Sequence, residues 1–188
     1  MAVVFEKPSL WQRLAPVFQG FDLPLALAVS LLAGMGLLVM YSVGFDHGSR
    51  FADHGRNMLI AVGVLFFVAQ VPPQRLMALA LPLYLLSVLL LLGVEFFGIE
   101  RKGAQRWLNV GVVIQPSELL KIAMPLMLAW WFQRREGQLK PIDFLVGFVL
   151  LVGPAALILH QPDLGTSLLV VASGLFVIFF AGLSWKLI

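Results

Sequence analysis

Glu118 and Lys121 stand three residues apart inside an otherwise apolar stretch, so a helix there places a carboxylate and an ammonium on one face, close enough to pair. A charge at the centre of a membrane helix costs roughly 2.5–3.5 kcal/mol on insertion scales, so each needs a reason to be there. One reason is structural: an ion pair near the interface, with Lys121 reaching outward along its aliphatic stem. The other is a polar cavity lined by this face, to which Gln115 and Ser117 add hydrogen-bonding groups beside Pro116, a residue suited to a first helical turn. A second candidate is His160-Gln161-Pro162-Asp163-Leu164-Gly165-Thr166, where Asp163 opens a helix. Its plain role is an N-cap that accepts backbone N–H bonds. Two carboxylates and a lysine at one depth could also do acid/base or cation work. The third is the loop Gly98 to Ile114, with Glu100, Arg101, Lys102, Gln105, Arg106 and Trp107. Guanidinium groups suit bidentate binding of phosphate, and cations beside a tryptophan suit an anionic lipid head group. An amphipathic re-entry with membrane anchors is the alternative.

These residues must be held by helices. The chain has 188 residues, 60% hydrophobic and 12% charged, against about 25% charged in a soluble domain. That composition excludes a water-soluble domain and disorder alike. Six apolar stretches, Leu23–Val43, Met58–Val71, Leu76–Phe97, Ser117–Phe132, Phe144–Leu159 and Leu164–Leu183, predict an all-α polytopic membrane bundle. The expected organisation is an N-terminal segment over 1–22 and a transmembrane domain over 23–188. In the first segment Trp11, Leu14 and Phe18 have the spacing of a short interfacial helix, with a polar leader as the alternative. No cleavable signal is evident.

With the N-terminus inside, cytoplasmic segments hold Lys7, Arg13, Arg75, Arg134, Arg135, Lys140 and Lys186, against Arg50, Arg56, Arg101, Lys102 and Arg106 outside. That excess, with Trp130-Trp131 followed by Arg134-Arg135, favours a cytoplasmic N-terminus. The net charge of +3 is loop charge that sets topology, and no basic run interleaves with aromatics, so nucleic acid is not an expected partner. The absence of cysteine excludes disulfides, thiolate metal sites and a cysteine nucleophile. No cofactor is evident. His47, Asp53 and His54 lack a metal-ligand spacing and read as a solvated loop, which leaves a divalent cation without support. Pro125 and Pro154 suggest kinks, and Gly34, Gly36 and Gly153 with Ala155 and Ala156 would permit close helix packing. Ser117 and Lys121 are one residue too far apart for a Ser-x-x-Lys acylation motif. The apolar ending Ser184-Trp185-Lys186-Leu187-Ile188, without a polar tail, reads as an interrupted chain.

Three stretches together carry a family resemblance: Lys102-Gly103-Ala104-Gln105-Arg106-Trp107-Leu108, Gln115-Pro116-Ser117-Glu118-Leu119-Leu120-Lys121 and Gln161-Pro162-Asp163-Leu164-Gly165-Thr166-Ser167. In order and spacing they resemble the SEDS family, closer to its rod-shape branch than to its division branch. The resemblance implies an inner-membrane peptidoglycan glycosyltransferase of about ten spans, of which this chain would cover the first six. It implies polymerisation of lipid II on the outer face for cell-wall elongation, beside a class B penicillin-binding protein and other elongation-complex membrane proteins. It also implies that Asp163, Glu118 and Lys121 belong to the catalytic cavity and that Arg106 and Gln105 contact substrate, and Gln161 and Ser117, polar groups beside them in the sequence, are expected to contact substrate as well. The family's proposed catalytic aspartate lies in a later outer loop, so the principal base would fall outside these residues. Two competing readings are a flippase or transporter of a lipid-linked precursor, and a non-enzymatic scaffold of the cell-wall complex. Transport would call for inverted repeats with broken helices, of which the sequence shows no sign. A scaffold would have no need of Glu118 and Lys121 inside a span.

Overall fold

The computed structural model describes residues 21–43, 48–101 and 103–183, in two compact units that divide after Pro72. The interfacial helix expected around Trp11 and the histidine at 47 lie outside the described residues. The first unit contains α1 (Leu23–Val43) and α2 (Gly48–Ala69). The Asp22 carboxylate accepts the Leu25 N–H at 2.9 Å and so starts α1. No residue of α1 is buried by protein, as suits a helix whose solvent is lipid. Phe21 stacks on Phe66, and Tyr41 meets Phe51 edge-on, at ring separations of 5.8 and 5.6 Å, pinning both ends of this helical pair. Helix α2 begins ten residues before the expected Met58. The polar run through Asp53, His54 and Arg56 is therefore helix and not loop, because Asp53 and Arg56 are one turn apart and pair at 3.2 Å. Asp53 and Arg56 are exposed and His54 is partly buried.

The second unit comprises α3 (Pro73–Ala78), α4 (Ala80–Phe97), β1 (Ile99–Arg101), β2 (Ala104–Asn109), β3 (Val113–Ile114), α5 (Pro116–Gln133), α6 (Pro141–His160) and α7 (Leu164–Phe180). Helix α5 is its spine. Leu120, Ala123, Met124, Met127 and Leu128 recur at helical spacing and are buried, the stripe that a helix at the centre of a bundle needs. Against them pack Leu91 of α4, Leu151 and Ile158 of α6, and Val170 and Ile178 of α7. Polar clamps tie the helices together: the Tyr84 hydroxyl donates to the Leu150 carbonyl at 2.8 Å, and Ser167 donates to the Ala155 carbonyl at 3.2 Å.

Among the described residues four helices are long and apolar enough to cross a membrane, Leu23–Val43, Arg50–Ala69, Ala80–Phe97 and Pro141–His160, and Leu164–Phe180 is a shorter apolar helix. Helix α5 is more polar because it carries Glu118 and Lys121. The close-packing glycines are not those that the sequence pointed to. Among the described residues no atom of another element lies within 4 Å of where a Cβ would sit on Gly34, Gly36 or Gly153, whereas one on Gly147 would come 2.8 Å from the Phe132 ring and one on Gly174 would collide with Leu151. The stretch Gly98–Ile114 is no loop or helical re-entry but an antiparallel ribbon in the order β1-β2-β3. Gly103 and Gly111 turn it at φ +77° and +93°, conformations that favour glycine, and the Asn109 side chain accepts the Gly111 N–H at 3.1 Å. Ala104 and Leu108 face inward from alternate positions of β2 and are buried, which lays the ribbon on the bundle.

Candidate functional site

Pro116 forces Gln115 out of the helix into extended backbone (φ −109°, ψ 106°), and its side chain consequently reaches across to the start of α7. There its amide nitrogen donates to Asp163 Oδ2 at 3.0 Å and to Ser117 Oγ at 3.1 Å. Asp163 is the N-cap of α7 as expected, its Oδ1 accepting the Thr166 N–H at 3.2 Å. Alternation along β2 aims Arg106 at the same carboxylate, with Nη1 3.4 Å from Oδ2. The structure thus gathers Arg106, Gln115, Ser117 and Asp163 into one cluster, built where two helix N-termini and the ribbon meet.

The cluster is unevenly satisfied. Both Asp163 oxygens are engaged, and the side chain is 9% exposed. Arg106, by contrast, approaches Asp163 only as an ion pair at 3.4 Å, longer than a charge-assisted hydrogen bond. Among the described residues its Nε is the only buried side-chain polar atom without a hydrogen-bond partner. A guanidinium has five N–H donors; here Nε is enclosed by protein, while the side chain as a whole is 30% exposed.

Glu118 and Lys121 form a second cluster on the first turns of α5, paired at 2.7 Å with Glu118 more than half exposed. They pair as the spacing predicts, and no contact with Asp163 joins the two clusters. Gln105 and Gln161 spend their amide nitrogens on α4. Gln105 donates to the Val94 and Gly98 carbonyls at 3.2 and 3.0 Å, and the buried Gln161 donates to the Leu91 carbonyl at 3.1 Å. They fasten the strand of Arg106 and the turn of Asp163 to the same helix. Glu95 at the end of α4 is joined to the end of α6, with His160 Nδ1 3.1 Å from its Oε1. Gln115 is the residue whose importance the sequence understated, and its position directly before a proline was the available signal. No group of metal-ligating side chains occurs among the described residues.

The family model of the FtsW/RodA/SpoVE cell cycle proteins matches residues 23–188, a span that holds every residue of both clusters. The chain belongs to this family. Peptidoglycan glycosyltransferase MrdB of Escherichia coli K12 is 42% identical over 167 residues, covering 87% of this chain and 44% of that protein. The crystal structure of the rod shape determining protein RodA of Thermus thermophilus superposes with a TM-score of 0.74 at 30% identity, over 90% of this chain and 56% of that one. A chain from a peptidoglycan synthase complex that coordinates polymerization and crosslinking superposes with a TM-score of 0.75 at 30% identity, over 90% of this chain and 50% of that one. The chain therefore spans about half the length of the relatives it matches. Membership confirms the multi-span helical membrane fold and the family that the three motifs pointed to.

Proposed function

We propose that this chain carries the diphosphate-binding platform of a peptidoglycan glycosyltransferase that polymerises lipid II into glycan strands for cell elongation and rod shape. The observation that carries the reading is Arg106, ion-paired with Asp163 where two helix N-termini meet and still 30% exposed. The relatives' names supply the reaction class. With the N-terminus in the cytoplasm, the ribbon and both clusters fall at the outer face of the inner membrane, where a lipid-linked disaccharide would present its diphosphate.

In this reading a sugar hydroxyl of one lipid II attacks the anomeric carbon of another. The bond from that carbon to the diphosphate oxygen breaks, the hydroxyl proton passes to a carboxylate base, and the lipid diphosphate leaves. Arg106 and Lys121 stabilise the charge that develops on the diphosphate. Asp163 is a positioning residue: its oxygens already accept Gln115, Arg106 and the α7 backbone, which leaves it poorly placed to take a proton. Glu118, more exposed, orients Lys121, and the principal base comes from beyond these residues. Ser117 holds Gln115, while Gln105 and Gln161 fix the ribbon and the α7 turn against α4. The likeness to a synthase complex that couples polymerization to crosslinking supports a class B penicillin-binding protein as partner.

The test is polymerisation of purified lipid II by the full-length protein with its transpeptidase partner. Loss of one preorganised donor to a developing anion costs about 10²–10³ in rate, and Arg106→Gln or Lys121→Gln should approach that. Undiminished glycan synthesis by Arg106→Gln, inserted at wild-type level, would sink the platform. Translocation of lipid II across vesicles without any polymer would favour a flippase instead.

A further inference from the structure

At the end of the second unit remote from the ribbon, a groove of about 410 Å³ runs between the start of α6 and the end of α7. Leu139, Pro141, Phe144, Leu145, Phe148 and Leu183 line it, and Lys140 is the one charged residue of the lining among the described residues. We propose that this groove holds an anionic glycerophospholipid, with the first methylenes of an acyl chain against the apolar wall and the phosphate on the Lys140 ammonium.

Two observations specify that occupant. The first is depth. The nearby end of α5 presents Trp130 and Trp131, with the Arg134 guanidinium 4.4 Å above the first ring and that of Arg135 3.4 Å above the second. Amphipathic rings capped by cations belong at head-group level, so the groove opens where lipid phosphates sit. The second is charge. Asp143 is the carboxylate closest in sequence to Lys140, and it is already committed. Its Oδ1 lies 2.9 Å from Arg135 Nε, its Oδ2 accepts the Lys140 backbone N–H at 2.9 Å, and its backbone carbonyl accepts Trp131 Nε1 at 3.1 Å. Among the described residues no carboxylate comes within ion-pairing distance of the Lys140 ammonium. An apolar wall beneath a cation without a counter-ion fits a phosphodiester with acyl chains. A net negative head group is preferred over a zwitterionic one, which would bring a second cation to the same edge.

The probe is native mass spectrometry of the full-length protein released from micelles that contain phosphatidylglycerol and phosphatidylcholine of matched acyl chains. One lysine near an anionic lipid predicts roughly a fivefold preference for phosphatidylglycerol. Lys140→Arg should keep that preference and Lys140→Gln should abolish it. Leu145→Trp, which fills the groove, should lower retention of both lipids. Lys140 is exposed, so its variants remain decisive should the tryptophan prove unstable. Equal retention of the two lipids by wild type, or an unchanged preference in Lys140→Gln, overturns the proposal. So does the absence of any adduct, the result expected if a later span or a partner helix covers the groove.

Discussion

Replacing Asp163 separates the two tasks that its carboxylate performs. Asn and Asp are comparable N-caps, so in Asp163→Asn the amide oxygen can still accept the Thr166 N–H now held at 3.2 Å. The amide NH₂ must then face Gln115 Nε2 and Arg106 Nη1, both donors, which stand 3.0 and 3.4 Å from the oxygen it replaces. Three donors converge with no acceptor among them. Leaving a buried donor unsatisfied costs about 1–3 kcal/mol. Arg106 is 30% exposed and can turn partly to water, so the lower half of that range is expected. Asp163→Ala loses the cap as well, for about 1 kcal/mol more, although it removes the crowding of donors. A double-mutant cycle with Arg106→Gln isolates the pair, and its coupling should reach about 1 kcal/mol, above the roughly 0.3–0.5 kcal/mol scatter of independent sites. The assay is equilibrium unfolding in mixed micelles titrated with SDS, followed by near-ultraviolet circular dichroism. Additivity of Asp163→Asn and Arg106→Gln within that scatter would refute the claim that Asp163 holds Arg106.

Two further substitutions probe the scaffold. Gly174→Val drives its new side chain into Leu151 and Leu128 and should cost about 1–3 kcal/mol in the same titration, whereas Gly153→Val, with no atom near its Cβ, should change stability by less than about 0.5 kcal/mol. Gln105→Leu removes the donor to the Val94 and Gly98 carbonyls at the end of α4 and should cost about 1 kcal/mol. Because the next residue is Arg106, it should also slow lipid II polymerisation while leaving membrane insertion intact, and a variant that polymerises normally would show that the strand needs no such fastening.

What could be read in advance was local. The apolar stretches announce the helices because lipid demands it, and Glu118–Lys121 and the Asp163 cap follow from neighbours three residues apart. The ribbon escaped because strands of two, three and six residues are too short to show a period, and its real signal lay in the turn glycines Gly103 and Gly111. Small residues announce only that a neighbour can come close. Whether one does depends on the residue opposite, which is Phe132 for Gly147 and Leu151 for Gly174 and nothing for Gly153.

The meeting of Gln115, Arg106 and Asp163 was beyond reach for a similar reason: it depends on how α5 and α7 pack. Gln115 lies directly before the first turn of α5, and Asp163 directly before that of α7. Their side chains touch, so the positive dipole ends of two helices converge beneath a strand that delivers a guanidinium. With Glu118 of the first α5 turn paired to Lys121, Asp163 alone cannot balance all of this. Asp163 neutralises what is needed to hold the parts together, and the remaining positive field faces the ribbon end of the bundle. An anion supplied from outside would complete the arrangement, which is why the proposed reading puts a diphosphate, and not a neutral sugar, at this cluster.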